Sequence, residues 1–294
     1  MPSFHPKNIL CPVDMSPLSD LALKYAHAGA RVFKASLTVL HAVHAEYPRY
    51  LSEEFTSRVL KELKTASAVA RQQTMEHVQR VLAGAESKVP IRYETADLEP
   101  TEAVMQALSA DRTELVVMGT HGYSGLKHWM LGSVTESVLH QAKVPVFAVR
   151  QKIHDFIDPA QPGADPRIRH ILCPCNLTLA AGRALQVAAA LADRFNARLT
   201  ALRVRETGAA EDGRDLPAWI RETGGSPEID CVERKGEAAL QIFDLAKSLN
   251  ADLIVIGAYH RPFEQGTLVG RTTELVLRHA GVPVLSVPYR DDAE

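Results

Sequence analysis

Apolar positions along this chain follow two alternating rhythms. Short, nearly unbroken runs, such as Ile9-Leu10-Cys11-Pro12-Val13 and Leu115-Val116-Val117-Met118, alternate with longer segments in which apolar residues return every three or four positions. The first rhythm reads as buried strand and the second as amphipathic helix. In the first half of the chain the runs predict strands near 8–13, 36–43, 90–95, 114–119 and 145–149. Between them fall predicted helices near 17–33, 52–84, 100–111 and 132–142. Strands apolar on both faces and separated by helices predict a parallel sheet covered on both sides, the doubly wound α/β arrangement. Ser52 ahead of Glu53 and Glu54 reads as an N-cap and Gly84 as a stop, so the second helix would run about 45 Å unbroken.

The pattern occurs twice. Residues 7–43 align without gaps on 169–205 with 14 of 37 identical, and 91–149 align on 229–287 with 15 of 59 identical. Ile9-Leu10-Cys11-Pro12 matches Ile171-Leu172-Cys173-Pro174, Gly119 matches Gly257, Gly132 matches Gly270, and Val144-Pro145-Val146 matches Val282-Pro283-Val284. The chain is a tandem duplication. The offset falls from 162 to 138 between the two blocks, so the second copy lacks 24 residues between its second and third strands. The counterpart of the long second helix shrinks to about Asp215–Thr223, with Pro217 in its first turn. That face of the second sheet is expected to be less covered, a candidate partner surface. Between the copies, Gln151 to Arg167 carries Pro159, Pro162, Gly163 and Pro166 without periodicity, which marks a linker. The expected division is a first domain over 1–150, a linker over 151–167 and a second domain over 168–294.

Composition narrows the function classes. At 294 residues, 46% hydrophobic and 23% charged, the chain can build two ordinary globular cores. A formal net charge of −2 without basic runs argues against a nucleic-acid surface. No segment reaches the roughly 18 apolar residues of a membrane span. The four cysteines, Cys11, Cys173, Cys175 and Cys231, form no dense framework, and no secretory leader is visible, so a reducing cytoplasm is the expected compartment. Cys173 and Cys175 fall on one face of a strand whose twin carries Cys11 and Val13, which reads as packing. His41, His44, His121 and His128 show no metal-ligand spacing, and no protein-held metal is expected.

The densest chemical signal is Gly119-x2-Gly122-x9-Gly132-Ser133, set between a predicted strand and a predicted helix. Glycine at the strand end is expected to give a positive-φ turn, and glycine beside it lets main-chain N–H groups approach an anion. Gly132 and Ser133 would open a helix whose first amides lack intrahelical partners and whose dipole favours negative charge. In open α/β sheets ligands sit at the carboxyl ends of the strands where strand order reverses. Asp14 ends the first strand and Gly119 the fourth, so a carboxylate for sugar hydroxyls would face a phosphate loop. Pro12-Val13-Asp14-Met15-Ser16-Pro17 has no glycine, which excludes a dinucleotide fingerprint, and there is no G-x4-G-K-[ST].

Met118-Gly119-Thr120-His121-Gly122, Leu131-Gly132-Ser133-Val134-Thr135-Glu136 and Val144-Pro145-Val146 resemble the closing half of a universal stress protein domain, and Ile9 to Asp14 resembles its opening strand. The resemblance covers nearly the whole chain, twice. It implies two tandem Rossmann-like five-stranded domains of strand order 3-2-1-4-5, with Val146–Val149 and Val284–Val287 pairing in an internal pseudo-dimer. It also implies ATP as ligand, with a divalent ion such as Mg²⁺. By position, Pro12, Val13 and Asp14 would flank the adenosine, with Asp14 on the ribose, and Ala42 would offer backbone to adenine. Met118, Gly119, His121 and Gly122 would line the loop, and Gly132, Ser133, Val134 and Thr135 would hold the phosphates.

In the second copy Asn176 replaces Asp14, His260 replaces Gly122 and Arg271 replaces Ser133, while Gly257, Gly270 and Thr272 remain. A site altered three times is expected to bind ATP weakly or not at all. The expected function is therefore an ATP-dependent stress-response regulator acting on a protein partner, assembled as a homodimer, with no catalytic residue assigned. Two rivals stand beside it: a slow ATPase or phosphate-ester hydrolase using His121, and a scaffold that nucleotide merely stabilises.

Overall fold

The computed structural model describes residues 4–43, 53–83, 85, 89–110, 112–120, 131–150, 155–206, 213–224, 228–259, 261–263, 266–268 and 270–289. The first half runs β1 (Asn8–Pro12), α1 (Pro17–Phe33), β2 (Ser36–Ala42), α2 (Glu53–Leu82), β3 (Ile91–Ala96), α3 (Pro100–Ala110), β4 (Leu115–Gly119), α4 (Ser133–Gln141) and β5 (Val146–Val149). The second runs β6 (His170–Pro174), α5 (Leu179–Phe195), β7 (Arg198–Arg205), α6 (Leu216–Glu222), β8 (Asp230–Lys235), α7 (Ala238–Ser248), β9 (Leu253–Tyr259), β10 (Arg261–Phe263), β11 (Gly266–Leu268), α8 (Arg271–His279) and β12 (Val284–Tyr289). The expected α2 is present over 30 residues. Its foreseen cap and stop, Ser52 and Gly84, lie outside the described residues.

Ten strands form one sheet in the order β3-β2-β1-β4-β5-β12-β9-β6-β7-β8, the order 3-2-1-4-5 followed by its mirror. Every pairing in it is parallel except β5 with β12, where Val284 faces Ala148, Leu285 faces Phe147 and Ser286 faces Val146. The two halves thus form the internal pseudo-dimer. Phe147 and Leu285 project into a core on the α1 and α5 side, while Val146, Ala148 and Val284 project into the opposite core. Both layers contain residues from both halves, so the seam is sealed on each face.

Local chemistry explains the helix starts. Ser16 caps α1 by accepting from the Ser19 amide at 3.2 Å, Thr178 caps α5 through the Ala181 amide at 3.3 Å, and Asp215 caps α6 through the Ala218 amide at 3.1 Å. α6, only seven residues long, buries Leu216, Trp219 and Ile220 where the first half has α2. Its neighbour β8 is correspondingly open, with Asp230, Cys231, Glu233 and Lys235 exposed, whereas most of β3 is half-buried.

The segment between the halves has no regular secondary structure over 155–169, yet it is tied down. The Tyr25 hydroxyl donates to Asp155 at 2.6 Å, Lys24 donates to the Pro159 carbonyl at 2.8 Å, and Arg31 meets Asp165 at 2.9 Å. Phe156 stands edge-on to Tyr25 and Phe147. α1 therefore carries the segment across the seam.

All four cysteines are free. Cys11, Cys173 and Cys175 are buried, and burial pushes the Cys11 thiol well up. Cys173 and Cys175 lie with sulfurs 3.9 Å apart, and their shared hydrogen bond, ahead of burial, raises the Cys173 thiol. Cys231 is exposed. With an aromatic disulfide reagent, one thiol per native chain should react readily and the other three only on unfolding. Rapid reaction of two or more would contradict this packing.

Candidate functional site

Parallel strands deliver their carboxyl ends to one edge of the sheet, and in the first half β1 and β4 are neighbours whose connections leave on opposite sides. At that switch point opens a cavity of about 300 Å³. Of the expected site residues, Pro12, Val13, Asp14, Ala42, Met118, Gly119, Gly132, Ser133, Val134 and Thr135 all line it. His121 and Gly122 lie outside the described residues. Ser19, Leu40, Pro100 and Val104 also line it and were not foreseen. Pro100 and Val104 are four apart on α3, so both reach the same wall. Their helical spacing is visible in the sequence, but the approach of α3 to β2 that brings them to the cavity is not.

One end of the cavity is apolar, with Val13, Leu40, Ala42, Pro100 and Val104 forming a slot. The β1 end is fixed by backbone: the Val13 amide donates to the Leu40 carbonyl at 2.8 Å, and a ring nitrogen of His41 lies 2.9 Å from the Val13 carbonyl. His41 therefore braces the strand end. Asp14 follows at the mouth, exposed, with one carboxylate oxygen accepting from the Ser16 amide at 3.0 Å. Met15, between them, sits at φ 60°, and its twin Leu177 at φ 58°. Bulky residues in the left-handed region carry strain, and both halves hold one at the same point after the opening strand.

The opposite end is built by α4. Its N-cap is Gly132, which has no side chain to satisfy the first turn. The first intrahelical bond is from the Glu136 amide to the Gly132 carbonyl at 2.9 Å, so the amides of Ser133, Val134 and Thr135 precede it. The Gly132 amide donates to the Thr120 carbonyl at 2.6 Å, and the Thr120 amide to the Val149 carbonyl at 2.9 Å, which closes the base of the loop. The Thr135 hydroxyl donates to the Gly119 carbonyl at 2.7 Å. Thr135 thus latches the helix to the strand with its side chain and offers only its amide to a ligand. The same latch joins Thr273 to the Gly257 carbonyl at 3.0 Å in the second half.

Gly119 is not in the positive-φ conformation expected of it. It is needed for close approach instead, since a Cβ there would lie 2.8 Å from Cγ of Leu18. Gly132 likewise has φ −63°. Neither described loop glycine makes a left-handed turn, and Gly119 is there for the room it leaves Leu18.

In the second half the backbone is described beyond Gly257, the residue equivalent to Gly119. β9 runs on two residues past Gly257, and Ala258 and Tyr259 pair with Pro288 and Tyr289 of β12. Tyr259 stacks on Tyr289 with ring centres 6.3 Å apart. The chain then folds back as the hairpin β10–β11, at sequence positions that align with 123–130 of the first half. Arg203 replaces His41 and is buried, donating to the Arg214 carbonyl and lying 3.7 Å from Glu233.

A doubly wound domain with a cleft at its switch point, duplicated and joined edge to edge, defines a recognisable class. The sequence profile of the universal stress protein family matches residues 5–150 and again 167–288, and the chain belongs to that family. A universal stress protein of Mycolicibacterium smegmatis is 25% identical over 292 residues, covering 96% of this chain and 97% of its own. One from Thermus aquaticus is 33% identical over 147 residues, covering 49% of this chain and 98% of its own. In three dimensions, a universal stress protein from Archaeoglobus fulgidus superposes with a TM-score of 0.69 at 23% identity, covering 97% of this chain and 99% of that one. Among the described residues, no helix is long and apolar enough to cross a membrane.

Proposed function

We propose that this chain is an ATP-binding stress-response regulator, cytoplasmic, whose first domain (1–150) holds the nucleotide and whose second (168–294) has lost that capacity. The observation that carries the reading is the first cavity, which joins an apolar slot, a mouth carboxylate and an uncapped helix start in one space of about 300 Å³. Adenine fills the slot between Leu40, Ala42, Pro100 and Val104. Asp14 accepts from the ribose hydroxyls. The amides of Ser133, Val134 and Thr135 receive phosphate oxygens, with the α4 dipole in favour. Among the described residues no group of three or more His, Cys, Asp or Glu is placed to hold a metal ion. A Mg²⁺ ion would arrive with the nucleotide and keep phosphate and water as its ligands.

The second domain's loss has a backbone cause. Amides that would meet phosphate beyond Gly257 belong to a strand that continues beside β12, and Asn176 lacks the charge of Asp14. Occupancy of the first site then acts as a signal to a protein partner. Because β5 and β12 pair within the chain, a homodimer must use another surface than the seam its halves already share.

Calorimetry tests the site directly. Wild type should bind a single ATP per chain, and Asp14→Asn should bind about tenfold more weakly, the scale of a charge-assisted hydrogen bond weakened to a neutral one. A wild-type titration with no saturable heat ends the reading, and an unchanged affinity in Asp14→Asn removes Asp14 from it.

A further inference from the structure

The two nucleotide-binding folds are unequal, but the second does not stand apart from the first one's cleft. α4, whose first turn walls that cleft, faces α8 across the pseudo-two-fold axis. Arg278 on α8 reaches over the axis to Glu136 at 3.2 Å while holding Glu274 on its own helix at 2.7 Å. The Arg278 side chain is 19% exposed and that of Glu136 37%, so the bridge is partly shielded from solvent. The alignment that pairs Glu136 with Glu274 pairs Arg278 with His140. The symmetry-related position in the first domain thus holds a shorter side chain that is not permanently charged, and the bridge runs one way. Two further ties flank it. Arg150, at the end of β5, donates to the Arg278 carbonyl at the foot of α8, a cation at a helix C-terminus. Strand β11 of the second domain's hairpin packs alongside α4.

We infer that the second domain is a brace for the first domain's phosphate helix, with Arg278 as the positioning residue. The inference rests on the nucleotide reading above and names what regulates that site. The argument is geometric. α4 is nine residues long and lacks a side-chain N-cap, so little within its own first turn fixes the direction of its amides. At the strand it is held by Thr135, which latches it to Gly119. Toward the axis it is held by Glu136, one residue later, gripped from the other domain. Amides serve an anion only when they converge on it, so a tilt of this short helix loosens several at once. The hairpin that follows β9 in the second domain supplies part of the support. A chain with one working site thereby keeps a use for both copies, and a partner that engaged α8 or the hairpin would alter nucleotide affinity in the first domain, as that affinity would alter the partner's.

The experiment is ATP calorimetry and thermal melting on full-length wild type, Arg278→Met, Arg278→Lys, Glu136→Gln and the Arg278→Met/Glu136→Gln double variant. Arg278→Met and Glu136→Gln should each weaken ATP about fivefold, the lower end of ordinary coupling between sites. The double variant should be no weaker than either single one, because both remove the same contact. Arg278→Lys should retain most of the affinity. Unchanged affinity in Arg278→Met, with or without a lower melting temperature, overturns the brace. Tighter binding in Glu136→Gln beside weaker binding in Arg278→Met overturns it too, since Arg278 would then merely neutralise a carboxylate near phosphate. Absence of ATP binding by wild type overturns the nucleotide reading itself and is read from the first titration.

Discussion

Ser133→Glu should abolish measurable ATP binding while leaving the protein at least as stable as wild type. Ser133 is the first residue of α4, exposed, and its side chain lines the cavity. A carboxylate at this position is favourable to the helix, because it meets the positive end of the dipole and is worth roughly 0.3–1 kcal/mol. The same charge occupies the space proposed for phosphate. Two unit charges about 5 Å apart repel by roughly 3 kcal/mol at an effective dielectric near 20, and ATP brings more than one. The expected loss is therefore at least about a hundredfold. Stability and binding move in opposite directions, which separates a blocked site from a damaged fold. The check is calorimetry beside a thermal melt, with Ser133→Ala as a control that should keep both near wild type. An affinity within about threefold of wild type for Ser133→Glu would show that the helix start is not where the phosphates lie.

Much of the architecture was legible in the sequence because its physical signals are local and repeated. The apolar runs located each strand of the first half within about two residues, and the helix-period segments located each helix. Duplication did more than periodicity. It fixed the two halves as equivalent folds, while the seam that Phe147 and Leu285 close was foreseen only through the resemblance to universal stress proteins. Within the candidate site, Asp14, Gly119, Gly132 and Ser133 were readable from motif spacing, and Pro12, Val13, Ala42, Met118, Val134 and Thr135 only through the family resemblance. Pro100 and Val104 were not, since they enter from α3, a helix whose approach to β2 is a tertiary fact. The role of Gly119 was misassigned for a related reason. A glycine after a strand reads as a turn until the neighbouring helix is present to demand the space. The hairpin β10–β11 was hidden because alignment with the first copy made Tyr259 to Val269 look like a decayed loop. Tyr259 and Tyr289 are far apart in sequence, and only their stacking on adjacent strands reveals the extension.

The two equivalent glycines should respond very differently to a single methyl group, with Gly257→Ala far more damaging than Gly119→Ala. At Gly119 the added Cβ would lie 2.8 Å from Cγ and 3.3 Å from Cδ2 of Leu18, with backbone no nearer than 3.4 Å. A leucine side chain can change rotamer, although Leu18 is buried and must displace neighbours to do so. The cost there should be about 1–2 kcal/mol. At Gly257 the Cβ would lie 2.6 Å from the Ala180 carbonyl oxygen, 2.7 Å from its carbon and 3.0 Å from the Ala181 amide nitrogen. Those atoms are the first turn of α5 and cannot rotate away. Relief requires α5 to lift from the ends of β6 and β9, against buried Ala181, Ala184, Leu185 and Ala188, which pack it to the sheet. The difference follows from sequence: Ala180 and Ala181 stand where the first half has Leu18 and Ser19, and the smaller residues let the helix backbone descend onto the strand. Gly257→Ala should therefore cost about 3 kcal/mol or more, at the upper end of overpacking changes. Urea unfolding of both variants checks this, and a Gly119→Ala loss equal to or larger than that of Gly257→Ala would refute the account. Because the damage is confined to the second domain, ATP titration of a still-folded Gly257→Ala chain also reports whether the first domain's site depends on its neighbour's integrity.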